Sequence, residues 1–446
     1  MNFQKFLFPI EVKKRIMNEL AQALNQAMKE DNEHVYNMLS QLGKEMFYPK
    51  GILSQSAEAG KKAHRFNATI GIATENNQPM HFQHLQDLFG DKVAPKDLYP
   101  YAPPQGKEEL RKVWQEKIFN DNPSLNKDVV GSPIVTNALT HGLSIAADLF
   151  ADEGTPVIVP DKYWGNYNIT FKTRRGATVA TFPLFNEENG FNTAGLKATI
   201  EAQKSSGKVI VLLNFPNNPT GYTPLESEAK EIAAVLTEAA DEGLNIVVLI
   251  DDAYFGLFYE DSMTESIFSY LADSHERILA VKIDGATKEN YVWGFRVGFI
   301  TYASKSANVL NALEQKTKGL IRGTISSSSH PSQSLILQSL KSDEFAVEKE
   351  QKFALMKSRA DKTKEVLAKE EYQKYWTYYP FNSGYFMCLK LHSIDAEKLR
   401  LHLLDQYGVG TISINPTDLR IAFSCVEEED IEELFDLIAQ GAADLQ

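Results

Sequence analysis

Cysteine is nearly missing: the 446 residues contain two, Cys388 and Cys425. Both lie in apolar, strand-like runs. That excludes a disulfide-stapled scaffold and offers no metal-ligand spacing, so both are expected as buried free thiols in a reducing compartment, with no metal. Long hydrophobic stretches are missing too. No apolar run approaches the ~18 residues that would cross a bilayer. The opening residues, MNFQKFLFPIEVKKRI, have no apolar segment of the kind a secretory leader carries. A cytoplasmic location is therefore expected. Basic excess is also absent, with 59 acidic against 46 basic residues and a net charge of -13. Such a surface disfavours nucleic acid and anionic membranes as partners. There is no internal repeat and no low-complexity linker.

What remains is a chain that is 43% hydrophobic and 24% charged, enough for a large core and two domains. Residues from Ile10 to Phe47 read as helix, stopped by Tyr48-Pro49-Lys50-Gly51. From about residue 130 to 302, short runs alternate with helical segments: SPIVT, PVIVP, TVATFPL, KVIVLLN, NIVVLID, RILAVKI and RVGFITY. Nearly continuous Val, Ile and Leu are what strands buried on both faces require, and the alternation predicts a mostly parallel α/β sheet. A long helix follows from about 344 to 370. After it YWTYYP, GYFMCLKL, GTISI and LRIAFS, with helices at 395–406 and 427–440, predict a smaller α+β domain. The expected division is 60–325 for the large domain, with 1–59 and 326–446 forming the small, discontinuous one.

Ligands of open α/β sheets sit beyond the carboxyl ends of the strands. KVIVLLN is followed there by FPNNPTGYTP, NIVVLI by DDAYFGLF, and RILAVKI by DGATK. Three successive strands thus end in Asn, Asp and Lys, with a Tyr nearby. Pyridoxal phosphate needs such a set. Its aldehyde takes a lysine amine, its pyridine nitrogen a carboxylate, its ring oxygen hydrogen-bond donors, and its phosphate backbone N–H groups with an arginine.

At these residues the chain resembles the class I/II aminotransferases, pyridoxal-phosphate enzymes of fold type I, over about residues 65 to 440. Three motifs carry the resemblance. They are Asn214-Phe215-Pro216-Asn217-Asn218-Pro219-Thr220-Gly221; Asp251-Asp252-Ala253-Tyr254; and Lys288 with Gly294, Arg296 and Gly298. Each follows a strand, and the order and rough spacing match.

The resemblance implies roles. Lys288 attaches the cofactor and later moves a proton as general acid and base, with Lys282 as the competing lysine. Asp251 pairs with the pyridinium, with Asp252 as the competing carboxylate. Asn218 and Tyr254 bond the ring oxygen, and Arg296 holds the phosphate. Ala138, Leu139 and Thr140, at the start of the helix in VTNALTHGLSIAADLF, add N–H groups there. Trp164, or alternatively Tyr163, stacks on the ring. Arg420 in TDLRIAFS clamps the substrate carboxylate. Tyr101, with Gly106, Leu110 and Arg111 at the family's offsets, reaches the phosphate of a neighbouring subunit, which implies a homodimer with shared sites. The Gly71 region resembles the family's N-terminal substrate-side segment.

Three features depart from the family pattern. Gly285 stands where the family often has Ser, so Thr287 is the nearest hydroxyl for the phosphate. The usual Pro-Gly-Ser loop before the carboxylate arginine is missing. Arg322 lies about two positions early for a second arginine that would take a distal carboxylate. The reading is an aminotransferase acting on L-amino acids (aspartate, glutamate or aromatic) with a 2-oxo acid such as 2-oxoglutarate. A β-lyase, decarboxylase or γ-elimination synthase on the same cofactor, and a non-catalytic ligand sensor on the same fold, are the alternatives.

Overall fold

All seven β-rich runs between residues 130 and 302 become strands of one sheet in this computed structural model. They are β1 (Ile134–Asn137), β2 (Pro156–Pro160), β3 (Thr178–Phe182), β4 (Lys208–Asn214), β5 (Asn245–Asp251), β6 (Ile278–Gly285) and β7 (Val297–Tyr302). Their order is β1-β7-β6-β5-β4-β2-β3. Strands β2 to β6 run parallel, and β7 is antiparallel to both neighbours.

The near-continuous apolar runs have the expected cause. Val209, Val211 and Leu213 of β4 join one core, and Ile210 and Leu212 join another on the opposite face. Successive side chains of a strand point to opposite faces, so a sheet covered on both sides needs apolar residues at every position.

Register brings the motif-bearing ends together. Asn214 is opposite Asp251, and Asp251 is opposite Ile283. Gly285 is opposite Gly298, and Asn137 is opposite Val297. Every candidate segment of the large sheet therefore leaves from the same edge.

The smaller sheet is antiparallel, with β8 (Trp376–Tyr378), β9 (Phe386–Leu391), β10 (Ile412–Ser413) and β11 (Asp418–Ala422) in the order β8-β9-β11-β10. Residues 68–74 lie along β11 and the turn after it. Ala422 N–H donates to the Ala68 carbonyl at 2.9 Å, and the Ser424 hydroxyl donates to the Ile72 carbonyl at 2.5 Å. Both cysteines are free thiols.

The structure describes residues 17–39, 41–46, 52–90 and 92–446. They belong to two units, Met1–Lys50 and Gly51–Gln446. In the first, α1 (Glu19–Met38) is capped by the Asn18 side chain, which accepts from Leu20 N–H at 2.9 Å. The expected single helix is interrupted, because Leu39 is extended and a short helix, Gln41–Glu45, follows. The expected start at Ile10 and the stop at Tyr48-Pro49-Lys50-Gly51 lie outside the described residues. In the second unit, α2 (Glu108–Asp121), α3 (Ala138–Phe150), α4 (Ala286–Glu289), α5 (Ala307–Thr324) and α6 (Glu344–Leu367) bear on the site. Among the described residues no helix is long and apolar enough to cross a membrane, and no cluster of His, Cys, Asp or Glu is arranged to hold a metal.

Candidate active site

The ends of β4, β5 and β6 open into a cleft with about 240 Å³ of room. The first wall is the turn after β4. Asn214 holds it at both ends: its side-chain N–H donates to the Asp251 carbonyl at 2.8 Å, and its oxygen accepts from Asn218 N–H at 2.8 Å. Gly221 closes the turn with φ +78°, a left-handed conformation, and a Cβ there would strike the Phe386 carbonyl at 2.0 Å. Only glycine satisfies both demands. The turn thereby sets Asn218 into the cleft.

Asp251 is the last residue of β5 and faces the cleft, while Asp252 faces the other way. Asp252 is buried with Lys282, to which it is ion-paired, and accepts from the Ser266 hydroxyl at 2.6 Å. The competing lysine and the competing carboxylate thus satisfy each other away from the cleft. Burial pushes the Asp251 carboxyl up to about 6, against the Tyr167 hydrogen bond and the Lys288 charge. The Tyr167 hydroxyl donates to Asp251 at 2.7 Å. Lys288, on α4, is half-buried and lines the cleft. Burial takes its amine down to about 8, with Asp251 opposing and Arg296 assisting that shift. Its Nζ lies 5.1 Å from the centre of the Tyr254 ring.

The Asp251 bond gives a direct prediction. Tyr167→Phe removes a hydrogen bond to a buried carboxylate, worth about 1.5 kcal/mol or more. The expected result is a loss of about tenfold in kcat/KM for amine transfer with the fold intact. Unchanged kcat/KM would show that Tyr167 only packs.

At the other end of the cleft, β1 turns directly into α3 at Ala138. The Asn137 side chain does not cap α3, so the first-turn N–H groups near Leu139 and Thr140 face the cleft without a side-chain acceptor. The Thr287 hydroxyl is buried and has no partner. Arg296 lines the same end and donates to the Trp293 carbonyl at 3.1 Å. Ala138 itself is left-handed, with φ +62°. Its backbone lies against Gly298, where an added Cβ would meet the Ala138 carbonyl carbon at 2.7 Å and Leu139 N at 2.9 Å.

These groups fit pyridoxal 5'-phosphate. The orphaned Thr287 hydroxyl, the uncapped α3 N-terminus and Arg296 suit its dianionic phosphate. Asp251, which burial destabilises as an anion, suits a protonated pyridine nitrogen. Trp164 lines the cleft, whereas the Tyr163 hydroxyl is engaged with Asn168 at 3.3 Å. Gly298→Ala must displace the first turn of α3. It is expected to raise the dissociation constant for pyridoxal phosphate at least about tenfold. A titration giving a constant within twofold of the parent would contradict this.

The third wall comes from the small sheet. Arg420 on β11 is 1% exposed. It donates to Asn218 Oδ1 at 2.9 Å and to the Thr69 carbonyl at 2.8 Å. Its guanidinium sits 4.2 Å from the centre of the Phe386 ring. Its Nε is buried without a partner. Among the described residues it makes no ion pair.

Of the residues expected from sequence, Ala138, Leu139, Thr140, Trp164, Asn218, Asp251, Tyr254, Thr287, Lys288, Arg296 and Arg420 line this one cleft, as does Gly71. Two do not. Tyr101 is 94% exposed in its loop. Arg322 ends α5 and donates to the Ser326 hydroxyl. The structure adds Tyr167, Asn214 and Phe386 to the cleft. Tyr167 had only a weak local signal, lying three positions beyond Trp164, in a turn where its N–H donates to the Trp164 carbonyl at 3.0 Å. Phe386 had none, since only the pairing of β9 with β11 puts it under Arg420.

A curated aspartate aminotransferase from Bacillus sp. YM-2 is 27% identical over 233 residues, 52% of this chain and 55% of that protein. A probable N-acetyl-LL-diaminopimelate aminotransferase from Bacillus subtilis is 30% identical, over 51% of this chain and 54% of that protein. The chain thus spans about half the length of these relatives. An aspartate aminotransferase from Sulfurisphaera tokodaii matches more widely, at 26% identity over 75% of this chain and 80% of that protein. Among solved structures, an aminotransferase from Anaerococcus prevotii superposes with a TM-score of 0.81 at 25% identity, covering 90% of this chain and 98% of that one. The kynurenine aminotransferase of Pyrococcus horikoshii shares the fold, with a TM-score of 0.77 at 18% identity over 92% of this chain and 98% of that one. The profile of the family "Aminotransferase class I and II" matches residues 74–438, from the segment beside Gly71 through β11 and beyond, and the chain belongs to that family.

Proposed function

We propose that the protein is a pyridoxal-phosphate-dependent aminotransferase, moving an α-amino group from an L-amino acid to a 2-oxo acid. The observation that carries this is Arg420, a buried guanidinium with neutral partners, in one cleft with the amine of Lys288. A buried cation without an anion is costly, and a substrate carboxylate supplies one. An amine brought to about 8 is available as a base near neutral pH.

Bound pyridoxal phosphate supplies the electron sink that makes the substrate α-proton labile. The chain does the rest. Arg420 and Asn218 orient the α-carboxylate. Lys288 takes the proton from Cα and returns it at the far side of the transfer. Asp251, braced by Tyr167, holds a proton at the ring nitrogen. The apolar faces of Trp164 and Phe386 keep water from the reacting bonds. Donors of the aspartate, glutamate or aromatic class, with 2-oxoglutarate as acceptor, accord with the relatives that are named aspartate aminotransferase. The reading includes a homodimer in which the exposed Tyr101 reaches the site of a second copy.

The test is to load the purified chain with pyridoxal phosphate, add amino acids one at a time, and follow both the visible spectrum and the oxo acid released. One oxo acid per site, and a second amino acid formed on adding 2-oxoglutarate, is the expected result. Release of ammonia or carbon dioxide instead would move the assignment to a lyase or decarboxylase.

A further inference from the structure

Lys288 belongs to a helix of only four residues, α4. One helical turn does not sustain itself, since forming it fixes several residues for a single hydrogen bond. The chain is irregular just beyond it, with Tyr291 at φ +54° and Arg296 at φ +57°. Contacts from elsewhere must therefore hold the turn.

Among the described residues, side chains from elsewhere reach Lys288 and Glu289. The Tyr385 hydroxyl, from the start of the small sheet, donates to the Lys288 carbonyl at 2.9 Å. Glu289, the next residue, points away from the cleft and is 6% exposed. Its carboxylate lies between two lysines from different helices. Lys117 of α2 is 3.0 Å from Oε2, and Lys349 of α6 donates to Oε1. Asp121 stands behind Lys117, and the Tyr291 ring lies alongside. The adjoining Asp252, Lys282 and Asp284 form a second buried ion-paired group, and the Lys117 charge acts on all three. Burial pushes the Glu289 carboxyl up, yet Lys117 and Lys349 together pull it below its usual range, so it is an anion there. On the cleft side, the charged groups facing Lys288 are Asp251 and Arg296, with the Tyr254 ring beside them.

We propose that Glu289 is a positioning residue for Lys288: its paired contacts with Lys117 and Lys349 fasten the α4 turn to α2 and α6 and hold the Lys288 amine in place in the cleft. The catalytic meaning of this rests on the reading of Lys288 given above, but the fastening does not. Residue alternation explains the design. Within this turn, and at the end of β5, a residue that faces the cleft (Lys288, Asp251) is followed by one that is ion-paired behind it (Glu289, Asp252).

The test measures Lys288 directly on the full chain freed of cofactor. Acetic anhydride labelling across pH, resolved by peptide mass spectrometry, gives the midpoint at which Lys288 becomes reactive. The parent is expected near 8. In Glu289→Gln and in Lys349→Met, the loosened turn admits water. The midpoint should rise by about one unit toward that of an ordinary lysine. The double variant should shift no further than Glu289→Gln alone, because that change already removes the Lys349 contact along with the Lys117 one. Tyr372→Phe, which removes a hydrogen bond to Asp436 elsewhere, serves as a control for general loss of stability and should leave the midpoint in place. If Glu289→Gln and Lys349→Met lower the melting temperature but keep the midpoint within about 0.2 units, the contact is structural only and the proposal falls. Should Glu289→Gln fail to fold, Lys349→Met, at the more exposed partner, decides alone. Reloading the parent with pyridoxal phosphate separates the two readings. Failure of the cofactor to protect Lys288 would remove the proposed function, while the midpoint comparison would still decide the role of Glu289.

Discussion

Replacing Lys288 with alanine is expected to remove the visible absorbance that the parent gains with pyridoxal phosphate, and to lower kcat/KM for amine transfer by at least about 10⁴-fold. Among the described residues, Lys288 is the one lysine lining the cleft. Lys282, which lies in the strand just before it, is buried with Asp252 and cannot substitute. Lys288→Arg should fail as badly, because a guanidinium does not lose its proton near neutral pH. The pH behaviour follows from the geometry. With the amine near 8, the fraction able to attack an aldehyde grows as pH rises to that value and levels off above it. The rate of cofactor capture by the unloaded chain should therefore climb through pH 8 and then flatten. Asp251 holds the Lys288 value up, so Asp251→Asn should move that midpoint down, toward lower pH. Stopped-flow absorbance across pH tests all three. A Lys288→Ala protein that keeps more than a hundredth of the parent rate would refute the assignment.

The second large effect is at Arg420. Arg420→Met is expected to raise KM for the amino acid, with a fall in kcat/KM of about 10²- to 10³-fold, the cost of losing a bidentate, charge-assisted contact to a carboxylate. The same variant should melt no lower than the parent when no substrate is present. The reason is electrostatic. In the free protein Arg420 is a buried charge with two neutral acceptors and an unpartnered Nε, and burial depresses its pKa. Replacing such a cation with an apolar side chain of similar length removes a desolvation cost while leaving Asn218 and Thr69 short of a donor, and the two changes nearly offset. Arg420→Lys keeps the charge but loses the fork, and should retain only a small part of the substrate affinity. A variant that loses stability in parallel with activity would mean that Arg420 is a structural arginine.

Much of the site could be read in the sequence because its parts sit immediately after strands. Strand identity was legible from unbroken runs of Val, Ile and Leu, and Asn218, Asp251 and Lys288 follow those runs at once. The choice of Asp251 over Asp252 came from resemblance alone; the structure separates them by the simple alternation of the strand, one facing the cleft and one facing Lys282. What could not be read depends on register between distant strands or on packing between layers. Phe386 lies beneath Arg420 only because β9 and β11 pair as they do. Glu289 looked like any charged residue in a polar turn, and its importance depends on helices α2 and α6, which precede and follow it by many residues. The first helix was legible as helix from its composition, but its end at Met38 was not, since no proline or glycine marks it.

The arginine end of the cleft has a consequence for synthesis. Arg420 joins Thr69 across 351 positions and Asn218 across 202. Contacts of such long sequence separation form late, because the intervening chain must be ordered first. As the chain emerges from the ribosome, the seven-stranded sheet and its Lys288 can assemble while β11 is still untranslated. The nascent protein then holds a half-built cleft, which on the proposed reading would take an aldehyde phosphate before it takes an amino acid. Arg420 is the last residue of the cleft to be synthesised.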